Sequence, residues 1–225
     1  SYLLSDATTG APLAMLDGGE LTDRRTAAAS LLAARYLARP ESSRLLLLGS
    51  GKVAHALAEA YAACFPITDI AIWSRRGENA ARLAGQLAAH GLPARAVATP
   101  DFAAADIISA ATLATEPLIP GAALAPGVHL DLVGAYRPDM READDAALLR
   151  SRVFVDNRHT TIGHIGELKT PIANGVFGED HVLADFYSLD KFARRSGDDI
   201  TLFKNGGGAH LDLMTCRYIM DVWKK

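Results

Sequence analysis

The sequence predicts a doubly wound, parallel α/β sheet joined to part of a second, smaller domain. Three features predict it. From residue 44 to residue 156, short apolar runs alternate with helix-like segments, as they do when crossover helices link parallel strands. The runs are apolar along their whole length, as expected for strands covered by helices on both faces. One of them, "RLLLL", passes directly into Gly-Ser-Gly and then a helix.

In chain order, residues 2–5 and 12–16 read as two strands joined by the turn residues "DATTG". A two-stranded ribbon is marginal alone, so it is expected to belong to a sheet whose other strands lie outside this sequence. "LTDRRTAAASLLAARYLARP" reads as an alanine- and leucine-rich helix, with Thr22 as its N-cap and Pro40 beyond its end. Strands are expected at 44–48, 69–73, 94–98, 105–112, 128–134 and 152–156. Helices are expected at 53–64 and after residue 77, the second closed by Gly91. Beyond residue 157 the pattern loosens. A helix near 185–195, the strand "DITLFK", a glycine run and a last helix at 209–223 complete the chain. The expected divisions are a remnant of a second domain with its connecting helix (1–40), the dinucleotide-binding sheet (41–207), and a terminal helix packing back toward the second domain (208–225).

Composition excludes several classes. The chain of 225 residues is 49% hydrophobic and 22% charged, enough to bury a sizeable core. Its net charge is -3 and it has no basic stripe, so a nucleic-acid partner is not expected. No apolar run approaches the ~20 residues of a membrane span. Cys64 and Cys216 lie far apart without metal spacing, which fits a cytoplasmic location with both as packing residues. No secretory signal is expected. The seven histidines show no ligand spacing, so no metal is expected; His159 and His164 lack nearby acids or thiols. The acids of "DMREADD" read as a solvated helix start.

The glycine turn fits G-x-G-x-x-A, with Gly49, Gly51 and Ala54. Gly49 permits a tight turn out of the strand. Gly51 carries no side chain to block a pyrophosphate, and Ala54 lets the helix approach the strand. The helix N-terminus offers free N–H groups and partial positive charge to phosphates. Gly49, Ser50, Gly51, Lys52 and Val53 are therefore the expected phosphate-binding residues of a Rossmann-type domain. At the end of the next strand an NAD-selective site usually carries an acid for the ribose hydroxyls. Here the chain reads Ser74, Arg75, Arg76. An acid would repel a 2′-phosphate, and guanidinium groups bind one bidentately. The expected cofactor is NADP(H).

Five segments, "LTDRRTAAAS", "GSGKVA", "AATLATEPLIPG", "HLDLVGAYRPDMREAD" and "TLFKNGGGAHLDL", together resemble the ornithine cyclodeaminase/mu-crystallin family, in order and over nearly the whole chain. That family pairs a Rossmann domain with a substrate-binding and dimerisation domain, so the resemblance implies a homodimer. It includes cyclodeaminases, ketimine reductases, amino-acid dehydrogenases and mu-crystallin. Cyclodeaminases carry an aspartate where this chain has Tyr136. "RPDMREAD" and "FKNGGGAHLDL" look like the reductases of Δ1-pyrroline-2-carboxylate and Δ1-piperideine-2-carboxylate. The resemblance thus implies NADPH-dependent reduction of a cyclic imino acid to L-proline or L-pipecolate.

It also implies roles. Arg25 matches the family's carboxylate-binding arginine, with its neighbour Arg24 as the rival. Ala111, Thr112 and Leu113 run beside the cofactor, and Thr112 is expected to bond its ribose or diphosphate. Gly134 and Ala135 approach the nicotinamide. Asn205 is expected to hold the carboxamide, with Gly206 and Gly207 allowing close approach. Tyr136 is the candidate proton donor, and His210 could face the site. The family's acid–base lysine lies in an N-terminal segment not in this sequence. The competing readings are an NAD-linked cyclodeaminase or amino-acid dehydrogenase, and a nucleotide-dependent binding protein like mu-crystallin.

Overall fold

The computed structural model describes residues 1–223. Eight parallel strands form the main sheet: β3 (Arg44–Leu48), β4 (Asp69–Trp73), β5 (Ala94–Ala96), β6 (Ile107–Ala110), β7 (His129–Leu132), β8 (Ser151–Val155), β9 (Val182–Ala184) and β10 (Ile200–Lys204). They lie in the order β5-β4-β3-β6-β7-β10-β8-β9, and every pairing is parallel. The helices are α1 (Gly18–Leu37), α2 (Lys52–Cys64), α3 (Gly77–Ala89), α4 (Asp145–Arg150), α5 (Arg158–Thr161), α6 (Gly166–Ala173) and α7 (Ala209–Trp223). β1 (Tyr2–Ser5) and β2 (Pro12–Leu16) pair antiparallel in a separate two-stranded sheet.

The leucine run shows why the sheet is wound on both faces. Successive strand side chains point to opposite sides. Leu45 and Leu47 enter a core with Ile70, Ile72 and residues of α1, α2 and α3. Leu46 and Leu48 enter another with Ile108, Leu130, Val153 and residues of α4 and α6. All four leucines are buried, each contributing about 1.5–3 kcal/mol of hydrophobic stabilisation. A polar residue at any of the four would face one core or the other.

The chain proceeds from β3 outward to β5, then returns to place β6 on the other flank of β3. This reversal opens a crevice at the carboxyl ends of β3 and β6, where open α/β sheets bind ligands. Register extends the same edge across five strands. Leu48 pairs with Ala110, Ala110 with Leu132, Leu132 with Lys204, and Lys204 with Val155. The next residues are Gly49, Ala111, Val133, Asn205 and Asp156. Segments more than 150 residues apart in sequence therefore emerge side by side.

Several elements differ from the sequence reading. α1 begins four residues before Thr22, because the Asp17 carboxylate accepts from the backbone N–H groups of Gly19 (2.8 Å) and Glu20 (3.1 Å) and takes over the cap. Thr22 instead donates its hydroxyl to the Gly18 carbonyl at 2.8 Å. In place of a helix near 185–195 there are 3-10 turns over Phe186–Lys191, broken at Ser188. β9, α5 and α6 lie in the stretch where no pattern was legible. Cys216 is buried as expected, but Cys64 is exposed and is not a packing residue. Among the described residues no helix is long and apolar enough to cross a membrane.

Candidate active site

Gly49 makes the turn out of β3 with φ +115°, a conformation few residues but glycine adopt. A Cβ there would lie 2.5 Å from the Ala111 carbonyl oxygen, so β3 and β6 close tightly beneath the crevice. A Cβ on Gly51 would meet nothing within 4 Å, leaving open space above the turn. Gly51 caps α2 without any side-chain acceptor for its first N–H groups. Free donors, open space and a helix N-terminus fit a pyrophosphate. Lys52 is exposed at the start of α2, whereas Val53 packs on the core. Arg75 and Arg76 are exposed at the end of β4, and the Ser74 hydroxyl donates to the Arg76 carbonyl at 2.6 Å, curling the loop between them.

The walls of the crevice after β6 and β7 are held by Glu142, which lies in the acidic run expected to be solvated. It is fully buried instead. Its Oε1 accepts from the Thr112 N–H and hydroxyl, both at 2.8 Å. Its Oε2 accepts from the N–H groups of Gly134 (2.7 Å) and Ala135 (3.2 Å). Thr112 thus commits its hydroxyl proton to Glu142, so toward a cofactor its oxygen is left to accept, as from a ribose hydroxyl, rather than to donate. Gly134 admits no side chain: a Cβ would lie 2.0 Å from the Thr112 carbonyl oxygen. Glu167, also buried, accepts from the N–H groups of Glu142 (2.8 Å) and Ala143 (3.0 Å). Buried Lys204 donates to the carbonyls of Leu132 (2.8 Å) and Asn205 (3.3 Å). Burial pushes the Glu142 carboxyl up to about 7; the Lys204 charge opposes this and the Glu167 charge adds to it. Leu113 and Tyr136 project outward, and Tyr136 is 58% exposed with the Arg137 guanidinium over its ring.

The glycine run after β10 is an ordered loop rather than a loose joint. The Gly207 N–H donates to Asp156 at 2.6 Å, and Asp156 also accepts from the Thr161 hydroxyl at 2.9 Å. A Cβ on Gly206 would lie 2.7 Å from that hydroxyl. Asn205 is buried, and its amide donates to the Thr26 carbonyl (3.0 Å) and the Ser30 hydroxyl (3.1 Å), fastening the loop to α1. With both amide protons used, only its buried Oδ1, which has no partner, could meet a carboxamide.

The structure separates the two arginines of α1. Arg24 is exposed and bonded to Glu20 and Glu59. Arg25 is largely buried and faces the glycine loop; its Nη1 lies 2.9 Å from where a Gly207 Cβ would sit. Its Nε donates to Asp212 on α7 at 2.8 Å. Among the described residues its two Nη atoms make no hydrogen bond, which leaves a guanidinium edge for a carboxylate. His210 stands against the same loop, with Nε2 buried and unpartnered and Nδ1 3.0 Å from a Gly208 Cβ position.

A family profile described as the ornithine cyclodeaminase/mu-crystallin family matches residues 1–225. The chain belongs to this family. It is 47% identical over 230 residues to the Δ1-pyrroline-2-carboxylate reductase of Paracoccus denitrificans, covering 99% of this chain and 72% of that protein. It is 34% identical to the ketimine reductase mu-crystallin of Rattus norvegicus, covering 99% of this chain and 69% of the relative. Among solved structures, it superposes on Thermococcus litoralis Δ1-pyrroline-2-carboxylate reductase in complex with NADH and L-proline. That match has a TM-score of 0.91 and 31% identity, over 96% of this chain and 68% of that one.

The glycine turn, the Ser74–Arg76 loop and the loops at 111–113, 134–136 and 205–207 follow strands of one sheet edge, and Arg25 reaches the last of these from α1. Glu142, Asp156, Glu167, Lys204 and Asp212 escaped sequence reasoning. Only "READ", part of a segment quoted for the family resemblance, carried a signal for Glu142.

Proposed function

We propose that this protein reduces a cyclic imino acid, Δ1-pyrroline-2-carboxylate or Δ1-piperideine-2-carboxylate, to L-proline or L-pipecolate with NADPH. The observation that carries the reading is the free guanidinium edge of Arg25 over Gly207, at the edge shared with the glycine turn. The relatives' named activities support the same class of reaction. When bound, the dinucleotide supplies hydride to C2 of the C=N bond, and one proton on nitrogen completes the reduction. Gly49–Val53 would hold the pyrophosphate, and Arg75 and Arg76 the 2′-phosphate. Arg25 grips the substrate carboxylate through Nη1 and Nη2, while Asp212 fixes the guanidinium plane. Glu142 positions Thr112, Gly134 and Ala135 without touching either ligand. Tyr136, in the loop following Ala135, is assigned as the proton donor. We assign the working unit as a homodimer in the cytoplasm.

NAD(H) is the second reading for the cofactor, favoured by the NADH in the Thermococcus litoralis structure. Product analysis tests the activity itself. The protein is incubated with NADPH and each imino acid, and the amino acid formed is resolved by chiral chromatography. L-Proline or L-pipecolate is expected; racemic product or none contradicts the proposal.

A further inference from the structure

Three metal-binding groups meet where α2 approaches the end of α3. His55 and Glu59 lie one helical turn apart on α2, and His90 caps α3. One ligand atom of each lies within 4.8 Å of the other two. The rings of His55 and His90 face each other with centroids 6.4 Å apart and planes 22° from parallel. His55 Nε2 is 3.9 Å from Glu59 Oε1, too long for a hydrogen bond. That nitrogen is buried and has no partner, an arrangement proteins usually avoid. The other carboxylate oxygen of Glu59 accepts from Arg24 at 3.3 Å, and Arg24 is itself held by Glu20 at 2.8 Å. This orients the carboxylate and leaves Oε1 toward His55.

We propose that His55, Glu59 and His90 bind a divalent transition-metal ion of the zinc type, with water completing its coordination. Zinc bonds of ~2.0–2.2 Å in a tetrahedron put neighbouring donors about 3.4 Å apart. The 3.9 Å gap between His55 and Glu59 then closes by about half an ångström, a small side-chain rotation. His90 is exposed at a helix end, so its ring is free to complete the set. Two imidazoles and a carboxylate suit zinc, cobalt, nickel or copper; calcium and magnesium prefer oxygen alone. The ion would tie the helix that follows the glycine turn to the end of the next crossover helix. It takes no part in hydride transfer and holds whether or not the proposed reduction is right.

The test is calorimetric titration of the chelator-stripped full chain with zinc chloride. Cobalt chloride serves as a second probe, read by the strong visible absorption of tetrahedral cobalt. One equivalent should bind, with that absorption, and zinc should raise the melting temperature. Glu59→Gln and His90→Ala should each weaken binding tenfold or more, with the metal-free melting temperature nearly unchanged, because His90 is exposed and a glutamine at the half-buried position 59 keeps an oxygen for Arg24. A Cys64→Ser variant should bind as the wild type does. The proposal is overturned if no ion binds, if the His55→Ala/His90→Ala double variant binds with wild-type affinity, or if Cys64→Ser abolishes binding.

Discussion

Replacing Glu142 with glutamine keeps the shape of the side chain and removes its charge. The amide oxygen will face Gly134 and Ala135, which can only donate. The amide nitrogen then faces Thr112, whose hydroxyl can rotate to accept, but the Thr112 N–H loses its acceptor. One unsatisfied N–H costs about 1–3 kcal/mol. Against this stands relief from burying a carboxylate. A rise from 4.5 to about 7 corresponds to about 3 kcal/mol at ~1.36 kcal/mol per pH unit. The two nearly cancel at neutral pH, so the variant folds with a melting temperature close to wild type. The pH profile differs. A carboxyl raised in the fold contributes stability that falls as pH rises from about 4.5 to about 7. His129 acts oppositely: burial, helped by the Arg194 charge, depresses it from 6.5 to about 3, so its stability is lost as pH falls through that range. In the wild type these two ramps oppose each other between about pH 4.5 and 6.5. Glu142→Gln removes one of the falling ramps, while burial keeps the Asp131 and Glu167 carboxyls raised and His129 keeps its rising ramp, so relative to the wild type the variant should gain stability with pH there. Thermal melts between pH 4.5 and 8 read this directly, and turnover should fall ten- to a hundredfold as both walls lose their register, roughly the effect of a 1 Å misplacement. Parallel stability profiles for the two proteins, or unchanged turnover, would refute the reasoning.

Arg25→Lys should raise KM for the imino acid about tenfold to a hundredfold, the loss of a paired charged contact, with NADPH affinity nearly constant; Arg24→Lys should do little, and the reverse order in steady-state kinetics would displace the assignment. Arg75→Ala and Arg76→Ala should each weaken NADPH binding about ten- to a hundredfold while leaving NADH unchanged; fluorescence titration showing equal loss for both cofactors would remove the 2′-phosphate from that loop. Gly134→Ala forces a methyl group against the Thr112 backbone and should destabilise the fold by about 3 kcal/mol or more; a urea midpoint within error of wild type would mean that the two walls are less closely packed.

The glycine turn was legible because its chemistry is local: a strand end, two glycines and a helix start suffice to specify it. The parallel sheet was legible for a similar reason, since uniformly apolar runs such as "RLLLL" betray burial on both faces. Glu142 was not, because nothing in "DMREADD" says which acid turns inward. Asp144 does cap α4 as an acid at a helix start should, but Glu142 is captured by four donors from loops that only tertiary packing assembles. Lys204 is hidden likewise, because nothing at the end of "DITLFK" says that β7 and β8 will flank its strand and bury its ammonium. The resemblance pointed to Arg25 over Arg24, but why the two differ needed the rotation of α1 about its axis, set by Ala27, Leu31 and Ala34 packing into the core. His55 and His90 are 35 residues apart and share no motif; the packing of α2 and α3 alone joins them.

The central claim is tested most directly by following NADPH oxidation by absorbance with five- and six-membered cyclic imino acids, alongside ornithine with NAD. Saturable oxidation of NADPH with at least one imino acid, and no ammonia released from ornithine, is the predicted result. NADPH binding without turnover of either imino acid, or ammonia release from ornithine with NAD, would contradict it.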